Sequence, residues 1–287
     1  MLKRFRFALR LLLIFGFSAT LLAQDGKDTY FPYVPGSYWV YEDQDGNELT
    51  RRATEKKEIK GETYHVFNYE PAVEEWAGYD YHIHPNFYKV GEEKVMFLVG
   101  EVAEKAIKAR FTKEMETFIK IGKQMNPDII LLYQVKVEVQ APFYVLPTSV
   151  TFNEKWEATE IKAKITITPF PQDAGEIIRV ELTIVETGKV LRTENVETSA
   201  GTFENCLKIE YRTETGVTIV PALEENPPGE TVTTLWVAPN VGIVKFHQKT
   251  EDIFLKVVPL PEPKDSTTIK TLELKKYEVQ SPNSENE

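Results

Sequence analysis

The chain of 287 residues has one cysteine, four histidines and fewer basic than acidic side chains, 34 against 44. A single thiol, Cys206, excludes an internal disulfide, so the fold must rest on a core and not on cross-links. The formal charge of −10 repels phosphate backbones and anionic lipid heads, which argues against nucleic acid as a partner. No G-x-S-x-G elbow, no dinucleotide fingerprint and no phosphate-cradling glycine loop occurs. Carboxylates are scattered, so no acid–base couple stands out and no cofactor is called for. Beyond residue 23 no apolar run is long enough to cross a bilayer.

What is present starts at the N-terminus. MLKRFRFALR carries four positive charges and no negative one, and LLLIFGFSATLLA follows with 13 uncharged residues. A basic start, a short apolar run and a small residue at its exit are the physics of a secretory signal peptide over residues 1–23. Cleavage is expected between Ala23 and Gln24; an uncleaved anchor is the other reading of the same run. A spanning helix needs about 20 residues, more than the run supplies. Gln24 stands where a lipoprotein would need cysteine. The mature chain is thus expected to be secreted or periplasmic, not membrane-spanning, with a formal charge of −14.

Residues 24–258 read as one antiparallel β domain. Tyr38–Tyr41, the turn around Asp45-Gly46 and the run Glu48–Ile59 make a hairpin, and Thr63–Tyr69 continues it. Short strands are expected at 80–84, 87–90 and 94–100. Longer ones follow at 129–140, 161–168, 176–186 and 189–197, the last two joined by a turn at Thr187-Gly188-Lys189. Then come 206–219, 231–237 and 243–257. Within this series, Val102, Ala103, Ala106, Ile107, Phe111, Met115, Phe118 and Ile119 recur in steps of three and four. They predict one amphipathic helix over 101–125, ended by Asn126-Pro127 and packed on the sheet. Pro259, Pro261 and Pro263 cannot donate to a ladder. Residues 259–280 therefore read as a Pro-rich connection and a C-terminal edge strand, and 281–287 as a disordered tail. The fold class is mainly β: a meander forming a half-barrel or curved sheet with one long helix packed on it.

Few features suggest chemistry. Residues 43–48 (DQDGNE) have the wrong glycine position for a calcium loop and read as a hairpin turn. His82 and His84 share one face of an expected strand and are the weak candidates for a metal, with Glu70, Asp80 and His65 as conceivable further ligands. Cys206 and His247 would form a thiol–imidazole pair if their strands were neighbours. Cys206 falls by simple alternation on the charged face with Lys208, unless a bulge at Phe203–Asn205 turns it inward. The bland account, an inert small residue in a sheet, needs nothing further.

Three stretches occur in order: YFPYVPGSYWVYE (30–42), SAGTFENCLKIEYR (199–212) and LWVAPNVGIVKFHQ (235–248). With Pro32, Gly36, Trp39, Gly201, Phe203, Cys206, Trp236, Pro239 and Gly242 at their marked positions, they resemble a group of secreted bacterial proteins with a domain of unknown function. Such domains are similar to the half-barrels of lipoprotein carriers, which bind lipid on a concave apolar sheet. The chain departs from that pattern in its long helix and in its Pro-rich segment with a last strand. The resemblance implies a non-catalytic exported protein whose partner is an apolar small molecule or lipid. The alternative is a structural protein docking an envelope partner.

Overall fold

A computed structural model describes residues 29–59, 61–71, 82–83, 87–92, 94–96, 100–125, 127–128, 130–139, 144–147, 149–171, 175–221, 229–251 and 267–281. The expected signal peptide, His84, Asp80, the three prolines of 259–263 and the last six residues lie outside them. Among the described residues thirteen strands form one antiparallel sheet: β1 (Tyr38–Asp43), β2 (Glu48–Ile59), β3 (Glu62–Glu70), β4 (Phe87–Val90), β5 (Lys94–Met96), β6 (Ile130–Val139), β7 (Tyr144–Pro147), β8 (Lys155–Phe170), β9 (Ile178–Thr198), β10 (Gly201–Val220), β11 (Gly229–Ala238), β12 (Gly242–Glu251) and β13 (Thr267–Glu278). One helix, α1 (Gly100–Met125), stands between β5 and β6. Strand order is β6-β8-β9-β10-β11-β12-β13-β1-β2-β3-β4-β5-β7. The ends of the sheet do not pair with each other, so it curls without closing into a barrel.

Two meanders, β8 to β13 and β1 to β5, are joined where β13 pairs with β1. That corrects the expected edge strand: β13 lies between β12 and β1 in mid-sheet. Its sequence TTIKTLELKKYE has no proline, so it can pair on both edges, with β12 along residues 267–273 and with β1 along residues 272–278, and the upstream prolines speak only for the connection. A second expectation also changes. Thr187-Gly188-Lys189 is not a turn, because β9 runs unbroken for 21 residues. Trp156 on β8 lies opposite Gly188. A Cβ at Gly188 would lie 2.3 Å from its ring, so the glycine makes room for an aromatic neighbour. Tyr211 flanks Gly188 from β10 and meets the Trp156 ring edge-on at 6.1 Å.

The buried face has three zones. An aromatic core gathers Phe31, Trp39, Tyr41, Phe67, Tyr88, Tyr211 and Phe246 with aliphatics from β9 to β13. An aliphatic core lies at the other end, where Phe111 and Met115 of α1 pack on alternate residues of β6, β8 and β9. Ile107 and Phe118 extend that helical stripe, as its spacing predicts; the side chains of Val102, Ala103 and Ala106 lie outside the described residues. Between the cores runs a polar strip of Glu186, Thr213, Thr215, Thr231, Thr233 and Gln248, all buried. The opposite face carries the charged residues together with exposed apolar ones, among them Ile269 on β13 and a group at the sheet tip, Ile130, Leu132, Phe170, Ile177 and Val220.

Candidate functional site

The three family-motif stretches meet in one place. The Trp39 indole donates to the Val241 carbonyl at 2.7 Å, and the Tyr41 hydroxyl donates to the Ile243 carbonyl at 3.0 Å. Asn240 bonds Thr29 twice, through its backbone N–H to the Thr29 carbonyl and its side-chain oxygen to the Thr29 N–H. Gly242 has a φ of 95°, and a Cβ there would lie 3.3 Å from Pro32. Glycine is thus required for both its backbone and its neighbour. Gly36 donates to Ala53, which starts β1 against β2. Trp236 points the other way. On the outer face its Nε1 donates to Glu194 at 2.5 Å, with the Lys208 ammonium 4.9 Å above its ring. These bonds and the Lys208 and Arg192 contacts hold the Glu194 carboxyl down at about 2. The motifs therefore tie the N-terminal segment to the β11–β12 hairpin.

Cys206 is fully buried. Asn205 adopts a left-handed φ of 54°, and the β9–β10 register slips between Phe203 and Cys206. The extra residue turns Cys206 inward beside Leu207, against simple alternation. Its sulfur lies 3.5 Å from the Phe203 carbonyl, and burial pushes the thiol up to about 11. His247 is not on the neighbouring strand: β11 separates β10 from β12, and His247 aligns with Thr234 and Thr271. His247 therefore does not serve the thiol as a base.

His82 is placed in a short turn, not on a strand. It is 1% exposed and reaches over the polar strip, with its Nε2 3.2 Å from Glu186 Oε1. The other Glu186 oxygen accepts from the Thr213 hydroxyl at 3.0 Å, and the His82 ring packs 4.3 Å from Tyr211. Each oxygen of this buried carboxylate is thus satisfied, which is the condition for keeping it there. Among the described residues no group of three or more His, Cys, Asp or Glu is arranged to hold a metal. His65, the conceivable third ligand, stacks on Tyr33 at 3.8 Å and sits on β3 opposite Tyr88. Burial holds its imidazole down at about 4, so it stays neutral.

Arg51 is the residue that sequence reasoning missed. It is 3% exposed on β2, facing the aromatic core. Its guanidinium carbon lies 3.8 Å from the Phe67 ring centre and 5.0 Å from that of Trp39. Among the described residues its Nε and Nη2 have no hydrogen-bond partner and no carboxylate pairs with it. The charge reaches three tyrosines: Tyr41, which burial pushes up to about 12, and Tyr69 and Tyr88, both raised by burial. The available signal was alternation. Leu49, Arg51 and Ala53 share a face, so a cation stands where the pattern asks for an apolar residue.

By architecture the protein is mainly β: one open antiparallel sheet, not closed into a barrel, with a helix packed at one end and an aromatic core on one face. The chain belongs to the DUF3108-like family, a family of unknown function, whose model matches residues 46–251. No curated protein matches it. Among solved structures it is similar to a candidate lipoprotein from Parabacteroides distasonis ATCC 8503, with 14% identity and a TM-score of 0.36. It is also similar to a candidate exported protein with a YmcC-like fold from Bacteroides fragilis NCTC 9343, with 16% identity and a TM-score of 0.37. Each comparison covers 88% of this chain and 99% of the other. No described helix is long and apolar enough to cross a membrane.

Proposed function

We propose that this chain is an exported, non-catalytic binding protein that holds an apolar small molecule or lipid against the concave aromatic face of its sheet. One observation carries the reading: a buried guanidinium, unpaired on its Nε and Nη2, lies in a bed of aromatic rings. The hydroxyls of Tyr41 and Tyr69 are polar neighbours of the ion, but burying a charge with no carboxylate beside it costs several kcal/mol, and packing alone supplies no reason to keep it. A component that completes the site supplies one. The alternatives to binding have less behind them, since the thiol is buried and His82 is committed to Glu186. Export rests on the basic and apolar N-terminus, and N-terminal sequencing of the mature protein should begin at Gln24.

Native mass spectrometry of protein recovered from the envelope tests the binding reading. The expected spectrum shows one added small molecule that organic solvent extracts. A clean apo mass, together with no binding of any apolar fluorescent probe by the refolded protein, would overturn it.

A further inference from the structure

We infer that Arg51 is the anchor for an oxyanion, so that the ligand is an amphipathic acid with an apolar body and a carboxylate-like head. This rests on the reading above that the concave face takes an apolar molecule, and it adds the chemistry of the head. The two unpaired donors of Arg51 are Nε and Nη2. Those nitrogens lie on one edge of the guanidinium, with their N–H bonds parallel, and that edge matches the two oxygens of a carboxylate or phosphate. The face of the ion is already used, stacked on Phe67 and near Trp39, so the open edge alone awaits a partner.

The surroundings sort the ligand further. Trp39 and Phe67 against the guanidinium are apolar and buried, so a small hydrated ion would leave its water for little in return. A hydrocarbon or ring attached to the acid would gain by the same burial. Tyr69 lies directly opposite Arg51 in the β2–β3 ladder and is only half-buried. It stands one residue before β3 ends at Glu70. The Tyr41 hydroxyl, which donates to the Ile243 carbonyl, and the Tyr69 hydroxyl feel the Arg51 charge and are kept protonated by burial, so they do not compete as anions.

The experiment uses the full mature protein and three probes of one chain length: a long-chain carboxylic acid, the alkyl phosphate and the alcohol. Binding is read by quenching of tryptophan fluorescence. The acid or the phosphate is expected to bind about tenfold or more tighter than the alcohol, the scale of a charge-assisted pair of bonds. Whichever of the two anions binds better identifies the head. In Arg51→Met the preference should vanish, while the melting temperature of the empty protein holds or rises, because an unpaired buried charge is gone. Should Arg51→Met fail to fold, Arg51→Lys keeps charge and stem but lacks the paired edge, and its preference should fall severalfold. Equal binding of all three probes by the wild type, or an undiminished preference in a folded variant, overturns the inference and leaves the binding reading standing. Absence of binding by every probe defeats both.

Discussion

The Cys206 sulfur has no exposed surface and the thiol is pushed up to about 11, so both access and ionisation oppose reaction. At neutral pH the shift alone lowers the thiolate fraction about a hundredfold. Maleimide should therefore leave the native protein unlabelled for hours and modify it fully in denaturant; stoichiometric labelling of native protein within minutes would contradict the buried placement. Glu194 gives a pH-dependent counterpart. Its folded carboxyl titrates near 2 against an ordinary 4.5, so between those values the unfolded chain binds the proton first. Its stabilising contribution is complete above about 4.5 and gone by about 2. Melting curves of the wild type and Glu194→Gln should differ at pH 6 and converge as pH falls through that window. A gap that stays constant down to pH 2 would remove Glu194 as the cause. At this scale the sequence was legible where alternation holds and left two readings open where it breaks. One inserted residue at Asn205 moved Cys206 from the charged face to the core, and bulges have no composition of their own beyond a tolerant Asn.

Strands and the helix were more legible, because periodicity is a property of many residues and survives local exceptions. The α1 stripe came through as spaced from Ile107 to Phe118, and β2, β3 and β8 to β12 overlap their expected runs. The four-residue β7 went unseen, since so short a segment carries too little pattern to stand out. Gly188 misled for a different reason: a Thr-Gly-Lys triplet signals a turn unless a neighbouring ring fills the glycine's empty side. That makes a test at the level of the strand. Gly188→Ala would put a methyl 2.3 Å from the Trp156 ring and should destabilise the protein by about 1–3 kcal/mol, as overpacking does. Trp156→Ala in the same chain should recover part of that loss, because the two residues occupy one space. Denaturant unfolding of the single and double variants measures the coupling. If Gly188→Ala costs under about 0.5 kcal/mol, the glycine is not reserved for the ring.

For the molecule as a whole, the position of β13 decides how the two meanders cohere. An edge strand could be removed at the cost of its own contacts. A strand between β12 and β1 holds the two halves of the sheet together, and its loss exposes two ladders at once. Leu272 and Leu274 of β13 belong to the aromatic core, and the Leu274 carbonyl accepts from the Ala200 N–H at the turn that leads into β10. Just beyond the strand, the Gln280 N–H donates to Ser37 Oγ, at the start of β1. A chain ending at residue 266 should therefore lack a cooperative unfolding transition and become protease-sensitive throughout, not merely at its end. Mixing that chain with a peptide of residues 267–281 should restore protection, because the missing strand needs no covalent link to fill both ladders. A truncated chain that still melts cooperatively within a few degrees of the wild type would show that each half is self-sufficient. The same outcome would place the Arg51 site in a unit complete without β13. As it stands, Trp39 and Tyr41 on β1 bind carbonyls of the β11–β12 side, so the aromatic bed under Arg51 exists only while β13 keeps those two sides in one sheet.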